Sequence, residues 1–385
     1  MTATIAALSR KEPAAPSDPD FDRRLMMAAI TLGQRGLGTT APNPSVGAIV
    51  VRDGVVVGRG STVRGGRPHA ETEALCEAGE QARGATLYVS LEPCSHFGVT
   101  PPCAKAIIDA GIGRVVSALD DPDSRVSGRG HRMLREAGIE VLTGVCADAA
   151  RLSNLGHILR VTDGRPMVQL KLAETADGMA AGDVHDARLM ITGQAANNRV
   201  QIMRAMADAI MTGIGTIRAD DPLLTVRLPG MADHNPLRVV LDALLSISLR
   251  SRVVATAGEA PVLVFCGPSA TPDAEAALIS HGVQVERVDA DRAGRIDLGK
   301  ALAALAKRGI TRVLSEGGPK VGANLIAAGL ADEVAIFSSP KPFGRPGTLA
   351  LTADARAILA DQKHYNPAEI SHAGSDTLRI WRRKF

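Results

Sequence analysis

The sequence predicts a two-domain α/β protein, and three observations support this prediction. The chain has 385 residues, whereas a single domain usually has roughly 100–200. Short β-branched segments alternate with amphipathic helical segments, an order that forms a sheet covered by helices. The polar, turn-rich stretch Thr162-Asp-Gly-Arg-Pro166 interrupts this alternation. We therefore predict a frayed tail over residues 1–20, one domain over residues 21–162 and a second domain over residues 163–385.

In the first domain, apolar residues recur at helical spacing over residues 21–36, and Gly36 and Gly38 end the predicted helix. A hairpin follows, because two β-branched runs flank the turn sequence Asp53-Gly54. The same patterns predict further helices over residues 69–79, 102–110, 130–137 and 147–160. They predict further strands over residues 85–91, 114–118 and 139–142.

The alternation restarts in the second domain. Strands are predicted over residues 167–172, 209–212, 238–241, 262–266, 284–288, 312–315 and 333–338. Helices are predicted over residues 194–206, 272–281, 298–308 and 321–328. Two glycine-containing segments, residues 211–222 and 315–319, follow strands and suit the close approach of a ligand or a phosphate. Neither contains the three-glycine loop of a doubly wound dinucleotide-binding domain.

Composition and charge exclude several classes of protein. The net charge is only +3 and aromatic residues make up 2% of the chain, so nucleic-acid binding is not expected. The chain has five cysteines, an odd number that argues against a disulfide framework and favours a reducing compartment. It has no run of about 18 apolar residues, so no membrane span is predicted. We expect a cytoplasmic enzyme.

The most specific motif combines His69 and Glu71 with Cys94 and Cys103. One histidine and two cysteines are suitable zinc ligands, and three protein ligands leave a position open for water, as in catalytic zinc sites. Zinc lowers the pKa of that water towards neutrality. Glu71, two residues from His69, is placed to carry the proton to a departing amine. This combination is typical of zinc-dependent deaminases.

The spacing of the two cysteines is unusual, because eight residues, Ser95 to Pro102, separate them instead of the common two. Cys103 follows two prolines, so we expect it to begin a helix whose positive end favours the thiolate. One alternative is a buried structural cysteine pair with a surface histidine. Another is a closed structural site with His96 as the fourth ligand. The remaining cysteines have no partner pattern and are predicted to pack in the core: Cys76, Cys146 and Cys266.

Three segments resemble those of the bifunctional riboflavin biosynthesis proteins of the RibD family. They are Ala41-Pro-Asn-Pro-Ser-Val-Gly47, Pro68-His-Ala-Glu71 and Leu91-Glu-Pro-Cys-Ser-His-Phe-Gly-Val-Thr-Pro-Pro-Cys103. The resemblance covers the chain from about residue 21 onwards. It implies a cytidine-deaminase-like three-layer domain followed by a dihydrofolate-reductase-like domain. It also implies zinc-dependent deamination of 2,5-diamino-6-ribosylamino-4(3H)-pyrimidinone 5′-phosphate and then NADPH-dependent reduction of the ribosyl group to ribityl.

The resemblance also implies roles for individual residues. Asn43 and His96 would bind the substrate, although a turn residue between two prolines is the alternative for Asn43. Residues implied for NADPH are Ala173, Met190, Thr216, Asp220, Gly318, Pro319, Lys320, Val321, Gly322, Ala323 and Asn324. Further substrate-binding residues implied in the second domain are Arg188, Arg204, Leu224, Arg227 and Glu316.

Three cationic residues of the second domain have alternative interpretations. Arg204 and Arg227 suit the ribose phosphate, because guanidinium groups match phosphate geometry. The alternative for each of them, considered alone, is a solvated surface cation. Lys171 lies in an apolar predicted strand, where it either acts in catalysis or pairs with a buried carboxylate.

The chain departs from the family pattern at several positions. Val99 replaces the usual arginine between the cysteines. In the second domain, Thr175-Ala176, Arg188 and Met190 stand where the family usually has Ser-Leu, Ser and Trp. Losing the tryptophan removes contact surface near the nicotinamide, and a flexible methionine fills only part of that volume.

Three functional hypotheses follow. The first is a bifunctional deaminase and reductase with zinc and NADPH as cofactors and a phosphorylated pyrimidine as the small-molecule substrate. The second is a deaminase with a degenerate, non-reducing C-terminal domain. The third, a nucleic-acid-editing deaminase, is disfavoured by the scarcity of aromatic residues. We also expect a homo-oligomer, either a dimer or a tetramer.

Overall fold

The computed structural model describes residues 18–97, 101–183, 186, 189–231, 234–291 and 293–384. The strands of the first domain are β1 Gly47–Arg52, β2 Val55–Ser61, β3 Thr86–Val89, β4 Arg114–Ser117 and β5 Glu140–Thr143. They form one sheet in the order β2-β1-β3-β4-β5. Strand β1 is antiparallel to β2 and β3, whereas β3, β4 and β5 run parallel. The predicted Asp53-Gly54 hairpin is confirmed.

Helices cover both faces of this sheet. They are α1 Pro19–Gln34, α2 Ala70–Ala78, α3 Cys103–Asp109, α4 Arg129–Glu136, α5 Ala147–Ser153 and α6 Leu155–Thr162. One apolar cluster joins α2, α3 and α4 to the sheet through Ala74, Ile107 and Leu134. A second cluster joins α1 and α5 to the opposite face through Met26 and Ala150. The predicted three-layer arrangement is confirmed.

The second domain contains eleven strands among the described residues. They are β6 Met167–Glu174, β7 Met179–Ala181, β8 Ala209–Gly213, β9 Leu237–Leu241, β10 Val262–Cys266, β11 Gln284–Arg287, β12 Arg312–Ser315, β13 Glu333–Ser338, β14 Thr348–Leu349, β15 Tyr365–Ala373 and β16 Asp376–Arg383. Nine of them form a sheet in the order β11-β10-β9-β8-β12-β6-β13-β16-β15. The sheet is parallel from β11 to β13, and the hairpin β15–β16 is antiparallel to β13. Strands β7 and β14 form a separate antiparallel pair.

Helices again cover both faces of this larger sheet. They are α7 Gln194–Ala205, α8 Ile214–Asp220, α9 Arg252–Ala255, α10 Pro272–Ser280, α11 Leu298–Lys307, α12 Pro319–Ala327 and α13 Ala353–Ala360. One buried cluster includes Leu170 of β6 with Leu325 of α12, and another includes Phe337 of β13 with Met203 of α7. Among the described residues, no helix combines the length and the apolar character that crossing a bilayer requires.

The structure corrects the predicted elements at several places. The predicted elements did not include helices α8, α9 and α13 or strands β7 and β14. The helix predicted over residues 147–160 is two helices, because the backbone leaves helical geometry at Asn154. The side-chain amide of Asn154 donates to the carbonyl of Ala150 at 3.1 Å. The hairpin β15–β16 is likewise absent from the predicted elements. Most residues of the edge strand β15 are exposed, so the strand lacks the alternation of apolar and polar residues that identifies a half-buried strand.

The two domains contact each other beside α6. The guanidinium Nε of Arg160 donates to the carbonyl of Ala306 at 3.1 Å. The backbone of Gly156 lies so close to the other domain that a Cβ atom there would sit 2.5 Å from the carbonyl oxygen of Thr311. A glycine is therefore required at this position for the observed contact between the domains.

Candidate zinc centre and reductase site

Three side chains that suit zinc converge at one end of the first sheet. His69 immediately precedes α2, Cys94 lies in the loop after β3, and Cys103 is the first residue of α3. The Nδ1 atom of His69 is 3.3 Å from the Sγ atom of Cys103 and 3.7 Å from that of Cys94. All three donor atoms lie within 4.8 Å of one another. One imidazole and two thiols at this separation fit a zinc ion with a position left for water.

The start of α3 stabilises negative charge on Cys94. The backbone N–H of Cys103 donates to the Sγ atom of Cys94 at 3.3 Å. The neighbouring Cys103 thiol and His69 lower the pKa of Cys94 to about 4, against the effect of burial. Proximity to Cys94 and burial raise the pKa of Cys103. The backbone N–H at the start of α3 therefore stabilises a thiolate at Cys94.

Glu71 is the second residue of α2, and its side chain is buried beside the three zinc-binding residues. Burial raises the pKa of Glu71 to about 7. A carboxyl group with such a pKa both accepts and releases a proton near neutrality, which is what a proton carrier requires. Among the described residues, Glu71 does not belong to the group of close metal-binding atoms. Its position supports proton transfer and not metal binding.

Asn43 lies in the loop between α1 and β1, and His96 lies in the loop between Cys94 and Cys103. The side-chain amide of Asn43 donates to the carbonyl of Gly66 at 3.1 Å, three residues before His69. Gly66 is required there, because a Cβ atom would lie 2.1 Å from the Asn43 amide nitrogen. The Nδ1 atom of His96 is buried and has no hydrogen-bond partner within the described part of the chain. Such a buried polar atom is suited to a ligand, as expected for a substrate-binding residue.

Glu92 is a residue of this site that the sequence analysis did not single out. Its carboxylate is buried two residues before Cys94 and accepts hydrogen bonds from four backbone N–H groups, and the Nδ1 atom of His131 lies 3.9 Å from its Oε1 atom. A signal for it exists in the sequence, since Glu92 stands between Leu91 and Pro93 at the end of a buried strand. A charge in such a place must be paired or hydrogen-bonded.

In the second domain, an ion pair joins two of the predicted substrate-binding residues. Arg204, at the end of α7, donates from Nε and Nη2 to the two carboxylate oxygens of Glu316 at 2.5 and 2.8 Å. Its Nη1 donates to the carbonyl of Thr225 at 2.9 Å. Because the side chain of Arg204 is only 8% exposed, the alternative of a solvated surface cation is wrong for this residue. Arg227 is exposed, and both of its interpretations stay open.

Three cationic side chains keep the buried carboxylate of Glu316 ionised. Burial alone would raise its pKa, but Arg204, Lys171 and Arg227 together hold the pKa of Glu316 below its usual range. The side chains of Gln169, Lys171 and Ala173 share one face of β6, because residues two apart in a strand point the same way. Lys171 therefore contributes to keeping Glu316 ionised, which supports the second of its two predicted roles.

The two glycine-containing segments meet, as their positions after neighbouring parallel strands require. Thr216 lies in α8, and its Oγ1 atom accepts a hydrogen bond from the backbone N–H of Gly318 at 3.1 Å. Gly318 precedes α12, whose first turn contains Pro319, Lys320 and Val321. Backbone N–H groups at a helix start suit a phosphate group. The implied NADPH residues Gly322, Ala323 and Asn324 continue the same helix.

Four further residues are implied to bind the cofactor or the substrate, and they differ in position and exposure. Asp220 ends α8. Leu224 has a left-handed backbone with φ 54°, and its side chain is buried in an apolar cluster, so only its backbone could face a ligand. Met190 is 72% exposed. Arg188 lies outside the described residues, as does Val99.

Comparisons with known proteins agree with this arrangement. Residues 19–119 match the family model described as "Cytidine and deoxycytidylate deaminase zinc-binding region". Residues 166–377 match the model described as "RibD C-terminal domain". Riboflavin biosynthesis protein RibD of Escherichia coli is 38% identical over 370 residues, which cover 92% of this chain and 97% of that protein. The RibD protein of Aquifex aeolicus is 37% identical over 367 residues, which cover 94% and 99% of the two chains.

Solved structures show the same relationship. The structure of Acinetobacter baumannii RibD superposes with a TM-score of 0.83 at 34% identity and covers 96% of this chain and 100% of that one. A diaminohydroxyphosphoribosylaminopyrimidine deaminase/5-amino-6-(5-phosphoribosylamino)uracil reductase from Thermotoga maritima superposes with a TM-score of 0.80 at 35% identity. That match covers 95% of this chain and 99% of the other. Both domains, in the same order, are therefore present in these relatives.

Proposed function

This chain belongs to the RibD family of bifunctional riboflavin biosynthesis proteins, with a zinc-binding deaminase domain and a reductase domain, and we propose that it catalyses both reactions on one phosphorylated pyrimidine. The first is the deamination of 2,5-diamino-6-ribosylamino-4(3H)-pyrimidinone 5′-phosphate. The second is the reduction of the ribosyl group of the deaminated product to ribityl by NADPH. The observation that supports the first reaction most strongly is the convergence of His69, Cys94 and Cys103 beside the buried Glu71.

For deamination, we assign proton transfer to Glu71. A zinc ion held by His69, Cys94 and Cys103 would acidify a water molecule at its open position. Glu71 would accept a proton from the attacking water and would deliver it to the amine that leaves as ammonia. Its pKa of about 7 supports this assignment, because both transfers must occur near neutrality. Asn43 and His96 would hold the pyrimidine against this group.

For reduction, we assign substrate binding to the Arg204–Glu316 pair and cofactor binding to the adjoining loops. NADPH supplies the hydride. Thr216 and the start of α12, which are joined by the hydrogen bond from Gly318, would hold its phosphates, and Ala173 would line the nicotinamide side. Arg204 and Glu316 are held rigidly by their mutual hydrogen bonds, so they present a fixed polar surface to the ribosyl phosphate.

We propose in addition that the domains span residues 21–162 and 163–385, which fits the limits of the two family matches. We further propose that the protein acts in the cytoplasm as a homo-oligomer and does not bind nucleic acid. The five cysteines, all free in the structure, support a reducing compartment. Light scattering coupled to size exclusion, with and without RNA, tests the oligomer and the absence of nucleic-acid binding.

A timed assay with the diaminopyrimidine ribosyl phosphate tests the two proposed activities together. Ammonia release and NADPH absorbance are recorded in one reaction of the purified protein. Ammonia followed by an equal amount of NADPH loss is the result expected for a bifunctional enzyme. Ammonia without NADPH loss, repeated with NADH, would instead support the alternative of a degenerate, non-reducing second domain. No ammonia would refute the proposed deaminase reaction.

Replacing Met190 with tryptophan is expected to lower the KM for NADPH. Met190 is 72% exposed, and tryptophan would add a large flat surface where the family pattern places one beside the nicotinamide. An aromatic stacking contact contributes about 0.5–1.5 kcal/mol, which corresponds to a roughly twofold to tenfold lower KM. Steady-state kinetics of NADPH oxidation with the deaminated intermediate measure this change. An unchanged KM would show that this position does not meet the cofactor.

A further inference from the structure

The buried carboxylate of Glu92 organises the segment that faces the zinc-binding loop. It accepts four backbone hydrogen bonds from residues 121–131. Oε1 accepts from Gly130 at 2.9 Å and His131 at 3.3 Å, and Oε2 accepts from Gly128 at 2.9 Å and Asp121 at 3.2 Å. We call Glu92 and these four N–H groups the Glu92 clamp.

Two features account for a carboxylate in this buried position. The N–H groups of Gly130 and His131 belong to the first turn of α4, where the helix dipole favours negative charge. Four donors also satisfy most of the acceptor capacity of one carboxylate, so burial leaves little of it unpaired. A glutamine side chain at position 92 would keep the size of the glutamate side chain. It would, however, turn an –NH2 group towards two N–H donors.

Helix α4, which the clamp holds, packs directly against the loop that contains Cys94. A Cβ atom at Gly130 would lie 2.0 Å from the carbonyl oxygen of Pro93, the residue between Glu92 and Cys94. On the other side of Cys94, the hydroxyl of Ser95 donates to the carbonyl of Arg125 at 3.3 Å. The residues before and after Cys94 are thus both attached to the segment over residues 121–131.

We propose that Glu92 is a positioning residue for the zinc centre: through the clamp, it fixes the loop of Cys94 and therefore determines how tightly zinc is retained and how fast deamination proceeds. This inference rests on the proposed zinc-dependent deamination. Both carboxylate oxygens of Glu92 accept hydrogen bonds from backbone N–H groups of residues 121–131, so we assign it no direct contact with the substrate. Its effect is transmitted by the geometry of Cys94.

The test compares Glu92→Gln with Asp22→Asn in the full-length zinc-loaded protein. Asp22 is the matched control, because it is a buried carboxylate of the same domain that accepts from Tyr88 at 2.6 Å and Arg114 at 2.8 Å, on the α1 side of the sheet. Zinc release to a chromogenic chelator is followed over time. The kcat and KM of deamination, the melting temperature and NADPH oxidation with the deaminated intermediate are measured on the same samples.

For Glu92→Gln, zinc release is expected to be roughly 10- to 100-fold faster, as for other residues that orient metal ligands. The kcat of deamination should fall while its KM and the reductase rate change little. Asp22→Asn should lower the melting temperature but leave zinc release unchanged. Glu92→Asp, which keeps the charge on a shorter side chain, should fall between Glu92→Gln and the wild type. If Glu92→Gln does not fold, Glu92→Asp takes its place in the comparison.

Equal zinc release from the Glu92 variants and the wild type would overturn the proposal. So would an equal acceleration in Asp22→Asn, because zinc loss would then follow from general destabilisation. These outcomes differ from a failure of the proposed function. In that case the wild-type protein itself would bind no zinc or release no ammonia.

Discussion

Glu71→Ala is expected to retain zinc and lose deamination, with a rate roughly a hundred- to ten-thousand-fold below that of the wild type. The reason is that Glu71 is not among the metal-binding atoms that the structure brings together, whereas its buried carboxyl group has the pKa of about 7 that proton transfer requires. Zinc content by elemental analysis and ammonia release at substrate saturation measure the two effects. Reduction of the deaminated intermediate should continue at the normal rate.

Two further variants test whether the loss of deamination comes from removing the carboxyl group of Glu71 itself. Glu71→Gln keeps the volume of the buried side chain and should be as inactive as Glu71→Ala, which shows that a cavity is not the cause. Glu77→Ala removes a carboxylate from the exposed side of the same helix, where it pairs with Arg59, and should leave the rate of deamination unchanged. Loss of zinc from Glu71→Gln would contradict the role of proton carrier and indicate a ligand instead.

Removing the metal should separate the two activities. A chelator that strips zinc from His69, Cys94 and Cys103 is expected to abolish ammonia release and to spare NADPH oxidation with the deaminated intermediate. The physical reason is that the zinc-binding residues belong to the first domain and the reductase residues to the second. Adding zinc back should restore ammonia release. If both reactions stopped together, the two sites could not be independent.

The second large effect is expected for Glu316→Gln. It removes the charge that compensates the buried guanidinium of Arg204. Leaving one partner of a buried ion pair uncompensated costs about 3–5 kcal/mol of unfolding free energy. We therefore expect a marked fall in the melting temperature of the second domain, together with loss of NADPH oxidation. Glu275→Gln breaks a more exposed pair with Arg287 and should lower the melting temperature much less than Glu316→Gln does.

A double variant distinguishes a functional pair from a purely structural one. In Arg204→Met/Glu316→Leu, two apolar side chains replace the ion pair, and such exchanges are often neutral or stabilising. Most of the lost stability should therefore return. NADPH oxidation should not, because the polar surface proposed to bind the ribosyl phosphate is gone. A stable double variant that still oxidises NADPH would contradict the proposed substrate-binding role of Arg204 and Glu316.

The hairpin, the zinc-binding residues and the two layered domains could be predicted from the sequence, because each is indicated by a pattern within a short segment. In residues 47–61, two β-branched runs flank Asp53-Gly54, a local pattern that predicts the observed hairpin. The zinc-binding residues were recognisable because His69, Cys94 and Cys103 have the donor chemistry of zinc and stand at the starts of helices and the end of a strand. The alternation of strands and helices likewise predicted both layered domains.

Other features depend on contacts between distant parts of the chain. Arg204 and Glu316 are 112 positions apart, and nothing local shows that the one neutralises the other. The Glu92 clamp joins positions 29 to 39 residues apart, and its donors are backbone groups that carry no side-chain signal. The edge strand β15 is largely exposed apart from Tyr365, so its pairing with β16 is what identifies it. Periodicity and ligand chemistry are properties of short segments and can be seen in sequence. The neutralisation of buried charge is decided by which segments the tertiary structure packs together.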